Sequence, residues 1–436
     1  MVRAGAWVAG AGGALFAALY LIAAILQQPL GDHRIEQTTK DTIPLHYTDQ
    51  SPVRPQQFST LTKEDIFSQC RLTIHDPYSA AINRTIEWRD PLTGCQRGYE
   101  PATQLVDGKI SIAPRWTDKI GHCRARCHEY ASVRKYIPGP WIELGPNDRA
   151  PMECDFVYAE CLGLGGHIVD QYIHSQIVET EKRTYSSSDF ELPREDFGPL
   201  PNVHIFLIDS VSSTQARRFL PKTLDFLEHQ MGGVHFHHLN KVGDNSRPNG
   251  YALFLGKRVY EMEREALGGE DLKPEMSYKQ HCHEYRDEDA VIFKLYEKMG
   301  YKTLYNEEYL TGDMWSWPAT CRGFEKQPTT HCYRPIPATL LANEKLRRGL
   351  PRKCIEEHHL QYKYHQQFLE AYQGRPKFGI TWTGGLAHND PNQLWHTDTF
   401  LEDFFRRNEK LLADAFVFFM GDHGPRIGQA KTTFKS

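Results

Sequence analysis

Two short apolar runs, far apart in the chain, each end on a carboxylate. Val203 to Ile208 (VHIFLI) leads into Asp209, and Phe416 to Met420 (FVFFM) delivers Gly421-Asp422-His423-Gly424. Unbroken apolar runs of this length suit strands buried on both faces of a parallel sheet. A carboxylate at the end of such a strand is costly to bury unless it is paired or holds a cation. The two features together confine the C-terminal half to an α/β fold with its polar groups gathered at the carboxyl edge of the sheet.

The intervening pattern agrees. Pro221 opens a helical stretch with Leu224, Leu227 and Met231 at helical spacing, stopped by Gly232-Gly233. Residues 290–299 read as another helix, with Ile292, Leu295, Tyr296 and Met299 on one side and Gly300 as its stop. Strands are predicted over 301–305 and 378–382, and a helix over 400–412. Lys241 to Asn249 (KVGDNSRPN) reads as a turn leading into a short apolar segment, Tyr251 to Leu255.

The N-terminal part has a different character. Ala4 to Leu26 is an uncharged run of 23 residues. It is long enough to span the roughly 30 Å of a bilayer core and longer than a cleavable signal core. We expect a signal anchor over 1–26 that places the main body on the lumenal or extracellular side, or a secreted protein if those residues are cleaved. A Pro-, Gln- and Thr-rich stalk over 27–69 is expected next, then a disulfide-rich region over 70–178, a polar linker over 179–200 and the α/β domain over 201–436. Of the ten cysteines, six fall between Cys70 and Cys161 and four between Cys282 and Cys354, so each set can pair within itself. His122-Cys123 and Cys127-His128 have zinc-ligand chemistry, but an oxidising compartment favours disulfides there. Asn83-Arg84-Thr85 is a glycosylation sequon. Lys and Arg number 51 against 55 Asp and Glu, a net charge of −4, which gives no basic field for nucleic acid.

Three polar clusters are expected at strand ends: Asp209-Ser210, His388-Asn389-Asp390, and Asp422-His423. Carboxylates recurring with imidazoles point to a shared cation site. Zinc is expected first because of the histidines, ahead of calcium or manganese, which favour all-oxygen shells. Ser246 has no nucleophile-elbow motif, but a serine hydroxyl becomes a nucleophile when a metal lowers its effective pKa.

The segments PNVHIFLIDSVSS, PKTLDFLEHQMGGVHFHHLNKVGDNSRPN, GYKTLYNEE and FMGDHGPRIG resemble the DUF229 family of animal membrane-bound or secreted proteins. The resemblance implies an alkaline phosphatase-like and sulfatase-like fold, a mostly parallel sheet flanked by helices. It implies Asp209, Asp422 and His423 as metal ligands, His388 and Asp390 as ligands of a second metal (with Asp398 or His396 as substitutes), and Ser246 as nucleophile. The activity implied is a metal-dependent hydrolase or transferase of phosphate, or related sulfate or phosphonate, esters on a glycan- or lipid-linked substrate; the alternative is a non-catalytic, membrane-anchored ectodomain. Ser246-Arg247-Pro248-Asn249-Gly250 lacks the final arginine of a classical sulfatase motif. Only 13 residues follow His423, so the resemblance also implies a C-terminally truncated domain.

Overall fold

The computed structural model describes residues 76–426, apart from 89, 121, 164, 180–199, 238 and 265–267. The expected anchor, stalk and most of the linker lie outside the described residues, as does Cys70. No helix among the described residues is long and apolar enough to cross a membrane.

After a short helix α1 (Ala80–Asn83) the chain forms eight strands: β1 (Thr103–Val106), β2 (Lys109–Ile112), β3 (His122–Ser132), β4 (Lys135–Pro138), β5 (Ile142–Leu144), β6 (Ala150–Pro151), β7 (Phe156–Leu162) and β8 (Ile168–Ser175). They build a three-stranded sheet β1-β2-β6 and a sheet β4-β3-β7-β8 with β5 paired to β3, all antiparallel. Apolar periodicity does not announce β3, because its buried inward positions include Cys123 and Ala125 between charged residues. Cys123–Cys161 and Cys127–Cys154 lock β3 to β7 and to the segment before it.

The parallel sheet is made by β9 (Asn202–Ile208), β10 (Lys302–Glu307), β11 (His331–Cys332), β12 (Lys377–Thr383) and β13 (Ala415–Gly421), in the order β11-β10-β12-β9-β13. Side chains of β9 alternate between two cores, as the period of two requires. Val203, Ile205 and Leu207 join Tyr251, Phe254, Trp315 and Trp382 on one face. Phe206 and Ile208 join Phe219, Phe226, Leu401, Phe404 and Phe405 on the other. The helices between strands are α2 (Ser213–Phe219), α3 (Pro221–Asp225, continued by a π turn over Phe226–Gln230), α4 (Ser246–Leu255), α5 (Tyr278–His283), α6 (Ile292–Lys298), α7 (Pro335–Ala342), α8 (Glu344–Gly349), α9 (Glu357–Ala371) and α10 (Asp398–Leu412). The strands and helices read from the C-terminal sequence all appear with shifted ends. Helix α4 replaces the expected turn and short segment, and α9 was not anticipated.

The antiparallel sheet packs against this body through Phe156, Tyr158, Tyr172 and Ile173, which meet Tyr333, Ile336, Leu340, Tyr364 and Phe368. The two cysteine sets do not pair separately as expected. Cys282–Cys321 stays within the second set, but Cys95 pairs with Cys354 and ties the first set to the α/β body. The four disulfides among the described residues suit an extracellular or lumenal body.

Register positions the site. Ile208 of β9 is level with Thr383 of β12 and Gly421 of β13, so the three strands end together at one edge. Asp209, the loop after Thr383, and Asp422 emerge there side by side.

Candidate metal centre

Asp209, Asp422 and His423 bring one ligating atom each into a common space, and all are nearly inaccessible, at 6%, 7% and 4% exposure. The turn after β9 prepares the arrangement. Ser210 adopts the left-handed conformation at φ 63°, which for a non-glycine costs on the order of 1–3 kcal/mol. There its N–H donates to Asp422 Oδ1 at 3.0 Å and its hydroxyl to Asp209 Oδ1 at 2.8 Å. The N–H of His423 also donates to Asp422 Oδ1, at 2.8 Å. Asp422 Oδ2 is left buried without a hydrogen-bond partner.

The histidine tautomer follows from its neighbour. His423 Nδ1 lies 2.7 Å from the Gly424 carbonyl, which only accepts, so in the neutral ring Nδ1 carries the proton and Nε2 presents its lone pair inward. Nε2 is 3.5 Å from Asp209 Oδ1, 3.5 Å from Asp422 Oδ2 and 3.5 Å from Ser246 Oγ. Charge-assisted N–H···O bonds run about 2.7–2.9 Å, so these separations are too long for direct pairing. They match the ~3.3–3.4 Å between donors that sit about 2.0–2.1 Å from a tetrahedral ion. Burial, then the neighbouring Asp422 carboxylate, pushes the Asp209 carboxyl up to about 7. Two buried carboxylates that repel, one orphaned oxygen and one inward lone pair form a donor set that fits a divalent cation.

Ser246 completes the group. It is the first residue of α4, and its hydroxyl donates to Asp209 Oδ2 at 3.1 Å. Asn249, one turn along, fixes the preceding loop: its Oδ1 accepts from the N–H groups of Val242 and Gly243 at 2.7 and 3.2 Å, and its Nδ2 donates to the carbonyls of Gly243 and Asn245 at 2.8 Å each. Asn249, next to the Gly250 that stands where a classical sulfatase motif has its final arginine, therefore holds the Ser246 loop in place.

His388 and Asp390 are not brought into this group. His388 Nδ1 donates to Asn389 Oδ1 at 2.9 Å, and its Nε2 faces the Arg426 guanidinium at 3.2 Å, which occupies the lone pair a metal would use. Asp390 accepts from the N–H of Asn392 at 3.0 Å as a helix cap. Of the substitutes, Asp398 caps α3 through the N–H groups of Lys222 and Thr223, and His396 lies against Glu356. Asn83 closes α1.

Two further residues shape the surroundings of this group. Glu308, buried just beyond β10, accepts from the N–H groups of Gly384 and Gly385 at 2.7 and 2.8 Å and so anchors the loop that leads to His388. It meets the strand-end carboxylate criterion that selected Asp209. Gly421 is the other: a Cβ there would lie 2.0 Å from the Val211 carbonyl oxygen, so only glycine lets β13 approach the turn after β9 closely enough to deliver Asp422.

A family model described as "Protein of unknown function (DUF229)" matches residues 96–436, most of the chain. The chain belongs to the DUF229 family. No curated protein and no solved structure matches it. In this DUF229 member the match spans both the antiparallel sheets and the α/β body, including every residue of the Asp209, Ser246, Asp422 and His423 group.

Proposed function

We propose that this DUF229 protein is a metal-dependent hydrolase or transferase of phosphate or related esters, built on an alkaline phosphatase-like fold and acting on the lumenal or extracellular side. The observation that carries the reading is the position of Ser246 Oγ, 3.1 Å from Asp209 and 3.5 Å from the inward nitrogen of His423, at the start of a ten-residue helix. Asp209, Asp422 and His423 would hold the cation, and the mixed carboxylate and imidazole set favours zinc over calcium or manganese. A bound cation supplies Lewis-acid activation of the hydroxyl and neutralises charge on the ester oxygens.

The protein's own groups provide the rest. The Ser246 hydroxyl directs its proton at Asp209 Oδ2 and leaves an oxygen lone pair for attack on phosphorus. Attack forms an Oγ–P bond and breaks the bond to the leaving alcohol; water or an acceptor alcohol then displaces Ser246 from the phosphoryl group. Arg426 contributes positive charge nearby: it contacts His388, whose ring packs on Tyr309 at 5.4 Å between centroids, and Asp209 helps to push the Tyr309 hydroxyl up after burial does so. The Arg426 Nε is buried without a partner, a donor suited to an ester oxygen.

The test incubates the zinc-loaded full chain with phosphodiester, phosphomonoester and sulfate-ester substrates and searches for a covalent adduct by mass spectrometry of the Ser246 peptide. Turnover of a phosphate ester with an adduct on Ser246 supports the reading. A zinc-loaded chain inert toward every ester class overturns it.

A further inference from the structure

A second group of ligating side chains converges at the start of α9, apart from Ser246 and its neighbours. Glu356 Oε2 lies 3.8 Å from His358 Nε2 and 3.9 Å from His359 Nε2. His396, carried by the short turn Trp395–Thr397, places its Nε2 2.6 Å from the same oxygen. The group is enclosed: the side chains of His358, His396 and Glu356 are 4%, 7% and 15% exposed.

Helix capping explains part of this cluster. The Glu356 side chain accepts from the His359 N–H, and the Glu356 N–H donates to His359 Nδ1 at 3.1 Å, a reciprocal cap. Capping does not explain His358 or His396. His358 Nε2 is buried with no hydrogen-bond partner, and the nearby carboxylate oxygen is beyond hydrogen-bond range. A buried imidazole nitrogen aimed at a carboxylate it cannot reach is unfavourable unless something sits between them.

We propose that Glu356, His358 and His359 form a binding site for a divalent transition cation of the zinc type, separate from the Asp209 group, with His396 as the positioning residue that donates through Nε2 to Glu356. One carboxylate and two imidazoles are an established zinc donor set. The present separations exceed the ~3.3–3.4 Å of a tetrahedral shell by about half an ångström, within reach of side-chain adjustment. Ligation by His359 Nε2 requires the proton on its Nδ1, so metal binding releases the hydrogen bond from the Glu356 N–H while the other half of the cap stays. His396 takes the role of an outer-shell group, orienting the carboxylate that ligates. The proposal does not depend on the ester-transfer reading.

The experiment strips the full chain with a chelator, re-adds Zn2+ by equilibrium dialysis and counts bound metal, for wild type, Asp422→Asn, the pair Glu356→Gln with His358→Gln, and His396→Gln. We expect Asp422→Asn to retain one equivalent, the double variant to bind one equivalent less than wild type, and His396→Gln to bind at this site about 10- to 100-fold more weakly. X-ray absorption on zinc-loaded Asp422→Asn should show two imidazoles on the ion, which requires no change in the α9 cluster and covers a double variant that fails to fold. If the Asp209 group takes no metal, wild type and Asp422→Asn both bind one equivalent and this site stands. Zinc absent from Asp422→Asn, full occupancy in the double variant, or a shell without two imidazoles overturns the assignment.

Discussion

Replacing Asp422 by asparagine separates what the charge does for folding from what it does for a cation. Asparagine keeps an oxygen for the N–H groups of Ser210 and His423, now 3.0 and 2.8 Å from Asp422 Oδ1, so the local turn is preserved. It removes a negative charge beside Asp209. Carrying the Asp209 carboxyl from 3.8 to about 7 costs its ionised form on the order of 4 kcal/mol, with burial the larger cause and Asp422 the next. Because the folded state holds this proton more tightly than the unfolded chain, metal-free stability falls as pH rises from about 4 to about 7 and stays low above that. In the variant the Asp422 share of the cost is absent. We therefore expect chelator-treated Asp422→Asn to be more stable than wild type by about 1–2 kcal/mol at pH 8, with the gap closing toward pH 4. Zinc should reverse the order, since a ligand at 100 times its Kd stabilises wild type by about 2.7 kcal/mol and the variant lacks a ligand. Urea unfolding across this pH range, with chelator and with zinc, measures both effects. A chelator-treated variant less stable than wild type at pH 8, or equal zinc stabilisation of the two proteins, would refute the reasoning.

Ser246→Ala should lose ester turnover on the order of 10⁶-fold, the scale seen for other nucleophilic serines, while the Asp209 group still binds zinc; full activity with bound metal would remove Ser246 from its role. Gly421→Ala forces a Cβ to within 2.0 Å of the Val211 carbonyl, so we expect about 1–3 kcal/mol of destabilisation and weaker zinc binding, read by thermal melts and dialysis. Burial holds His174 and His365 down to about 3 and His204 well below 6.5, and folded-state values below the unfolded value mean stability that is complete above pH 6.5 and lost as pH falls toward 3. The metal-free chain should therefore unfold on acidification through this window, with each group steepening the loss by up to about 1.4 kcal/mol per pH unit; a melting temperature flat from pH 6.5 to 4 would contradict it.

The parallel sheet was legible because β9 and β12 are buried on both faces and the edge strand β13 is half-buried on both, so β9 and β13 appear as apolar runs and β12 as a largely apolar one. The site was legible where it depends on those runs: Asp209 and Asp422 follow strand ends directly. Strand β3 of the antiparallel sheets was not, since cysteine, alanine and histidine fill its buried positions and leave no apolar signal. Helix α9 was hidden because its buried face includes His358, Gln361, Tyr362 and His365, polar or amphipathic residues, and the side chains of Gln361 and His365 are satisfied by contacts distant in sequence. One example is the hydrogen bond between His365 Nδ1 and Thr381 Oγ1 at 2.6 Å. Similarly, the strand-end cluster that nominated His388 could not show that Arg426 would face its ring nitrogen. Both cysteine sets were even in number, and parity alone could not reveal a bridge between them.

That bridge has a consequence for the order in which the protein matures. Cys127 meets Cys154 after 27 residues of synthesis and Cys123 meets Cys161 after 38, whereas Cys95 must wait 259 residues for Cys354. At about 5–20 residues per second, that wait lasts roughly 13–50 s, long enough for the antiparallel sheet to close around its own two bridges first. Until Cys354 is made, Cys95 cannot form its native bridge and can exchange with the disulfides that form earlier. Formation of the native isomer should thus depend on disulfide isomerase activity more than on oxidant supply, and the late pairing marks the point at which the N-terminal sheet is fastened to the finished α/β body.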